Sequence, residues 1–229
     1  MLAGLVGVIG GLTNWIFFLF IKMVKMVAHG QTGDLVEIAS VLEPWQRAIV
    51  PMLGGLAAGL VLYWGARLVR DKRSTNFMEV VAAGDGKLPM RVTLTKGLSS
   101  LLSIGSGASI GREGAITQLT AMFASKLGQV ARWQPYRLRL LVACGAAAGM
   151  AAAYNAPIAG SVFAAAIVLG NFSMNLFGPL VFSAVVATIV SRHFFGLDPW
   201  YVVPAYDFTE LAQLPWFVLL GVFAGAVGA

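Results

Sequence analysis

The stretch GSGASIGREGA, from Gly105 to Ala115, places an arginine and a glutamate side by side between two apolar segments of the chain. Several glycines surround this charged pair. Glycine removes side-chain bulk and permits backbone angles that other residues avoid, and a new apolar run begins at Ala115. The pattern predicts a break in the chain followed by the N-terminus of a helix.

The composition of the chain places this break in a lipid bilayer. Hydrophobic residues make up 58% of the 229 residues, and charged residues only 11%. The mean hydropathy is +0.79. A soluble domain carries about a quarter of its residues as charge. The composition therefore predicts an integral membrane protein and argues against a soluble globule.

Seven apolar segments approach the length of about 20 residues that a membrane-spanning helix needs. They are uneven, and several are short or interrupted by glycine and proline, which predicts an all-α bundle with broken helices. The segments are 1–28, 48–68, 92–110, 115–130, 138–170, 176–195 and 215–229.

The sequence opens and closes inside apolar runs. No charged leader precedes Leu2, and no polar tail follows the run from Trp216 to Ala229. We therefore expect residues 1–229 to form one partial transmembrane domain, cut at both ends from a longer protein.

The net charge of +6 is unevenly distributed along the chain. The segment from Arg67 to Arg91 is basic, whereas those from Gly30 to Glu43 and from Gly196 to Gln213 are mainly acidic. By the positive-inside rule the basic segment faces the cytoplasm. Because the basic residues flank apolar helices and form no recognisable binding module, we expect no nucleic-acid partner.

Glu113 is the candidate functional residue of the break. The chain has ten acidic residues, and the others lie in loops or near segment ends. An ionisable group at membrane depth is costly and usually faces a bundle interior or a water-filled cavity. The alternative is that Glu113 merely pairs with Arg112, although neighbours in sequence point to different sides of a helix.

The start of the helix after this break is itself suited to an anion. Free backbone N–H groups and the positive end of the helix dipole gather there. Broken helices whose N-termini point at an anion near the bilayer midplane are a known transporter design. A nucleotide-binding P-loop would instead need Gly-Lys followed by Ser or Thr, whereas Gly111 is followed by Arg112 and Glu113.

A second break is predicted in GAAAGMAAAYNAPIAGSVFAAAIVLG, from Gly145 to Gly170. Asn155 and Pro157 interrupt an otherwise continuous apolar run, and proline disfavours a helical conformation in the residue before it. Two helices are expected to meet there. An ordinary proline kink is the alternative.

Taken together, the two breaks resemble two sequence elements of the CLC chloride channel and transporter family. GREGA, from Gly111 to Ala115, resembles its G-[KR]-E-G-P element, and the stretch from Gly145 to Gly160 resembles G-A-A-A-G-[LM]-A-A-A-[FY]-N-A-P-[IL]-A-G. Three stretches resemble the bacterial ClcB-type branch most closely, namely STNFMEVV, SGASIGREGA and CGAAAGMAAAYNAPIAG. The likeness extends over nearly the whole chain. It covers the first of the family's two inverted halves.

This resemblance implies an all-α integral membrane fold with tilted and re-entrant helices, acting as a homodimer in the inner membrane of a bacterium. It implies transport of chloride or a similar monovalent anion, with no cofactor and no metal. Glu113 would be the gate, because its carboxylate occupies an anion site until protonation or rotation lets chloride replace it. Backbone N–H groups of Arg112, Glu113, Gly114 and Ala115 would line that site, and the Ser74 hydroxyl would be a further donor.

The chain also departs from the family pattern. The family's G-S-G-I-P element corresponds here to the region from Arg73 to Glu79, Ala115 replaces a proline, and Ala166 and Ile167 stand where the exchangers keep an inner glutamate. We therefore expect a voltage- and pH-sensitive channel, with a proton-coupled chloride antiporter as the alternative. A membrane-embedded enzyme is disfavoured, because it should bring several acidic, His or Cys residues together at membrane depth.

Overall fold

The computed structural model describes residues 2–30, 38, 42–68, 76–108, 110–196 and 214–228. The regular elements in these residues are all helical, which confirms the predicted all-α fold. They are α1 Leu2–His29, α2 Pro44–Leu68, α3 Phe77–Ala82, α4 Met90–Gly105, α5 Glu113–Val130, α6 Pro135–Tyr154, α7 Pro157–Phe163, a π-helix Ala164–Leu169, α8 Met174–Phe195 and α9 Leu214–Gly228.

Helices α1, α2 and α8 are long and apolar enough to cross a membrane. Helix α9 is shorter but also apolar. The chain divides into two units, residues 1–198 and 199–229. Within the second unit, α9 has no buried residue. The elements that matter for the candidate site all belong to the first unit.

Both predicted breaks are present. Helix α4 ends at Gly105, earlier than the predicted segment 92–110, because Gly107 then adopts a φ of +108° that a helix cannot continue. The predicted segment 138–170 divides at Asn155, which has a left-handed φ of 56° and caps α6. Pro157 then starts α7, since the first turn of a helix tolerates proline.

Helix α6 lies at the centre of the first unit and packs against α1, α5, α7 and α8. The side chains that it buries are mostly alanine, and two of its glycines, Gly145 and Gly149, are buried among them. Small residues on a helix surface let neighbouring backbones approach closely in a membrane, where van der Waals packing drives helix association. The run of alanine and glycine thus explains how α6 accommodates neighbouring helices on several sides.

Glycines are required where these helices come closest. A Cβ atom at Gly145 would lie 2.7 Å from the Thr120 carbonyl oxygen of α5, and one at Gly160 would lie 2.7 Å from the Ala147 carbonyl oxygen. Real Cβ atoms do not approach backbone oxygens this closely. The spacing of α6 from α5 and α7 therefore depends on hydrogen atoms at these positions.

A buried group of hydrogen bonds joins α1, α6 and α8. The Asn14 side-chain amide donates to the Ala152 carbonyl oxygen at 2.9 Å and to the Ser191 hydroxyl at 3.0 Å. The Ser191 hydroxyl also contacts the Ala152 carbonyl at 3.3 Å. The last carbonyls of a helix have no partner within that helix. Side chains of α1 and α8 thus donate hydrogen bonds to one such carbonyl at the end of α6.

We predict that Gly145→Ala destabilises the complete protein, because the new methyl group would press on the backbone of α5. Overpacking of this kind costs about 1–3 kcal/mol. Gly59→Ala in α2 is the matched control, since its Cβ would have no atom within 4 Å. Thermal melting in detergent should show a lower transition for Gly145→Ala alone. Equal melting temperatures for the two variants would contradict the packing argument.

Candidate anion-binding site

The loop between α4 and α5 is held by two other helices. The Ser106 amide donates to the Leu102 carbonyl oxygen at 3.1 Å and closes α4. A Cβ atom at Gly105 would collide with Val24 of α1, and one at Gly54 of α2 would collide with the Ser106 side chain. The start of this loop is therefore packed between α1 and α2.

Helix α5 begins at Glu113, two residues before Ala115, where the predicted apolar run starts. Its first backbone hydrogen bond runs from the Ile116 amide to the Arg112 carbonyl oxygen, at 3.1 Å. The N–H groups of Glu113, Gly114 and Ala115 precede this bond and have no partner within the helix. Together with the helix dipole, these N–H groups favour a negative charge at this end of α5.

The Glu113 side chain is half-buried and folds back over the residues that precede it. A Cβ atom at Gly111 would collide with the Glu113 Oε2 atom. Among the described residues, the carboxylate makes neither a hydrogen bond nor an ion pair. The position of the carboxylate therefore depends on residue 111 being a glycine, which has no side chain, and on the positive end of α5.

Arg112 lies against α1 and is not the ion-pair partner of Glu113. Its guanidinium carbon is 5.9 Å from the centre of the Phe18 ring. Lys22 approaches the same ring, with its Nζ atom 4.8 Å from the centre. A cation over an aromatic face is attracted by the ring's quadrupole. Two positive groups are thus held beside the helix break.

A polar cleft of about 320 Å³ lies beside the start of α5. Gly114 and Ala115, two of the residues predicted to line an anion site, line this cleft. Arg112 and Glu113, which were also predicted, are not among its lining residues. Ser74, the predicted hydroxyl donor, lies outside the described residues. The cleft is lined by Asn76, Thr93, Lys96, Gly97, Ser100, Gly114, Ala115 and Gln118.

The start of α3 meets the start of α5 at this cleft. Asn76 caps α3, with its Oδ1 atom accepting from the Met78 amide at 3.0 Å. The Gln118 Oε1 atom of α5 accepts from the Phe77 amide at 3.4 Å. The start of α5 and the side-chain-capped start of the short helix α3 therefore border one space, and the N–H groups at the start of α5 favour an anion there.

Six of the eight lining residues were not predicted from the sequence, and three of these carry a charged or amide side chain. Lys96 adds an ammonium group to the cleft. In the sequence, this residue could have been recognised as a lone cation inside the apolar segment 92–110. Asn76 is a typical helix-capping residue two positions after Ser74. Gln118 gave no signal, because a glutamine one turn into a helix is common on any partly polar face. Within the described residues, no group of three or more His, Cys, Asp or Glu could hold a metal ion.

Comparison with known proteins shows which family this chain resembles. The family profile described as voltage gated chloride channel matches residues 53–229. A putative ClcB-like chloride channel protein of Ralstonia nicotianae is 44% identical over 99% of this chain and 54% of its own length. The voltage-gated ClC-type chloride channel ClcB of Yersinia pseudotuberculosis is 40% identical over 98% of this chain and 55% of its own length. The chain thus spans about half the length of the curated relatives it matches.

Two solved structures share the fold. A slow cyanobacterial Cl⁻/H⁺ antiporter superposes with a TM-score of 0.70 at 25% identity, covering 99% of this chain and 54% of the antiporter chain. A CLC-type fluoride/proton antiporter superposes with a TM-score of 0.67, also at 25% identity and with the same coverage. From the family profile and the ClcB relatives, the chain belongs to the voltage-gated chloride channel family, known as CLC, and is ClcB-like.

Proposed function

We propose that the complete protein moves chloride or a similar monovalent anion across the membrane, past the starts of α3 and α5, with Glu113 as its gate. The observation that supports this most directly is that two helix N-termini and Lys96 border one polar cleft. The Glu113 carboxylate, which has no partner within the described part of the chain, stands at the start of one of those helices.

The gating step follows from competition between two anions. The Glu113 carboxylate and a chloride ion are both attracted to the N–H groups at the start of α5. Protonation removes the charge of the carboxylate and hence most of this attraction, and rotation of the side chain moves it away. Either event leaves the helix start available to chloride.

The other predicted residues have supporting roles in this proposal. The N–H groups of Gly114 and Ala115 would bind the anion directly, since both residues border the cleft. The Arg112 N–H group and guanidinium would add positive potential beside it. Ser74 would supply a hydroxyl from the segment that precedes Asn76, the cap of α3.

We favour a voltage- and pH-sensitive channel over a proton-coupled antiporter. Ala166 and Ile167 occupy the π-helix after α7, and both are exposed there. Neither can accept a proton, so this segment has no side-chain relay toward Glu113. Antiport is the second candidate function, because the two similar solved structures are those of antiporters.

The wider setting is also part of the proposal. Bacterial ClcB relatives and three candidate membrane helices support an integral protein of the bacterial inner membrane. We infer a homodimer that binds no nucleic acid and uses no cofactor. A transporter and not an enzyme is the role that family membership supports.

Gly111→Ala should displace the Glu113 carboxylate, because the new methyl group would occupy the space of Oε2. We expect the complete variant to show a rotated Glu113 side chain in its experimental structure and a higher anion flux at neutral pH. Gly55→Ala in α2 is the control, since its Cβ would have no atom within 4 Å and Gly55 does not line the cleft. An unmoved carboxylate in Gly111→Ala would contradict this account of how Glu113 is held.

Glu113→Gln should make anion flux through the complete protein nearly independent of pH, because the amide cannot titrate. Flux from liposomes would be measured over a range of pH for the parent, for Glu113→Gln and for Asp85→Asn. Asp85 is an exposed acid outside the cleft, so its variant should keep the parent's pH profile. A Glu113→Gln protein that also kept that profile would refute the gating role.

Passive flux is the expected result of a coupling experiment on the complete protein. A chloride gradient would be imposed across vesicles with the membrane potential clamped, and the internal pH would be recorded. Without a titratable group at Ala166 or Ile167, we expect no uphill proton movement. Reproducible pumping at a fixed anion-to-proton ratio would instead establish the antiporter.

A further inference from the structure

The turn after α3 is fixed between the end of α5 and the start of α6. The Ser125 Oγ atom of α5 donates to the Gly86 carbonyl oxygen at 2.6 Å and accepts from the Leu88 amide at 2.9 Å. Gly86 also approaches α6, since a Cβ atom at this position would lie 2.9 Å from the Arg139 backbone nitrogen. Lys87, the residue between Gly86 and Leu88, is exposed at this junction.

Basic residues from three parts of the chain meet at the junction. Lys126 follows Ser125 in α5 and is exposed, and Arg139 is the residue of α6 that approaches Gly86. Arg132 is exposed in the turn that joins α5 and α6. Further exposed cations stand in the first turns of α4 and α6. We call this set the basic edge, which consists of Lys87, Arg91, Lys126, Arg132, Arg137 and Arg139.

The positive charge of the basic edge is not balanced within the described part of the chain. None of its residues makes an ion pair there. Residues 76–91 contain two acids, Glu79 and Asp85, and residues 118–140 contain none. The preceding residues 69–75 contain three basic residues and one acid. That part of the sequence therefore adds positive charge and not a counter-charge.

Aromatic side chains accompany the basic edge in the hairpin of α5 and α6. Tyr136 is 56% exposed, and its hydroxyl accepts from Nε of Arg137 at 2.7 Å. Trp133 is partly buried against the core of the first unit. Tryptophan and tyrosine are enriched where membrane proteins meet the lipid headgroups, and basic residues are enriched on the cytoplasmic side. The hairpin therefore has the composition of a segment at the membrane surface.

These features favour a lipid phosphate as the partner of the basic edge. Anionic lipids of the cytoplasmic leaflet attract basic segments beside membrane helices, and basic pockets between such helices bind anionic headgroups. Lysine and arginine donate charge-assisted hydrogen bonds to phosphate oxygens. A zwitterionic lipid carries its own ammonium group beside the phosphate, so its net attraction to the edge is smaller. The aromatic residues favour a lipid over a soluble acidic partner.

We propose that the basic edge binds the phosphate of an anionic phospholipid of the phosphatidylglycerol type, with Lys87, Lys126 and Arg139 as its main ligands. The turn after α3, the end of α5 and the start of α6 each contribute one of these residues. A bound phosphate would therefore join three elements of the bundle. The site involves neither Glu113 nor the polar cleft, and it does not depend on the proposed function.

The test titrates the complete protein in an uncharged detergent with phosphatidylglycerol, with phosphatidylcholine or with inorganic phosphate. A ligand that binds the folded state raises its thermal transition, so the melting temperature reports binding. We expect phosphatidylglycerol to raise the melting temperature at concentrations at which the other two have no effect. An equal rise with phosphatidylcholine would overturn the proposal, because net charge would then be irrelevant. An equal rise with inorganic phosphate would also overturn it, because the edge would then bind a soluble ion.

Paired variants connect this effect to the basic edge. Lys87→Gln with Lys126→Gln should raise the phosphatidylglycerol concentration for the half-maximal shift about 25-fold, because one lysine near an anionic lipid surface contributes about fivefold. Lys87→Arg with Lys126→Arg keeps both charges and should keep the parent's affinity. Lys22→Gln with Arg192→Gln, the matched control, removes two exposed charges from α1 and α8 and should also keep it. Unchanged affinity in the first pair, or an equal loss in the control pair, would refute the site.

Discussion

The close approach of α5 to α6 is the constraint on which the candidate site depends. A Cβ atom at Gly149 would lie 2.8 Å from the Thr117 Cα atom, one turn beyond Glu113, and Gly145 repeats the arrangement one turn further along. These contacts hold α5 against the centre of the bundle. The direction and depth of its N-terminus follow from that contact, and so does the position of every N–H group that an anion would use.

Backbone N–H groups at the start of α5 are central to the candidate site, beside the polar side chains that line its cleft. Charged side chains at membrane depth are costly, whereas the N–H groups of a helix start supply partial positive charge without an ion of their own. Two such starts meet at one cleft because Gln118 of α5 accepts from the Phe77 amide of α3. Lys96 adds one full charge at the edge of this arrangement, on an exposed face of α4.

Much of the fold was predictable because local chemistry determines it. The glycines around Glu113 and the pair Asn155 and Pro157 mark the two breaks, since each sets backbone angles within a few residues. Only a part of the cleft's lining was predictable. Gly114 and Ala115 follow from the helix start, but Lys96 and the cap of α3 are joined to them by tertiary packing, which no local pattern records. The π-helix Ala164–Leu169 likewise had no signal, because alanine and valine fit either helix type.

The alanine- and glycine-rich surface of α6 also has a thermodynamic consequence. Alanine and glycine have no side-chain rotamers to lose on burial, whereas a leucine or isoleucine loses about 0.5–1 kcal/mol of rotamer entropy. Where α5 meets the alanines and glycines of α6, the contact therefore freezes few side-chain torsions on the α6 side. The scaffold around the helix break is therefore assembled at a low entropic cost. Because Gly114 and Ala115 have no side-chain rotamers, Arg112 and Glu113 are the side chains with rotamers to select at the start of α5.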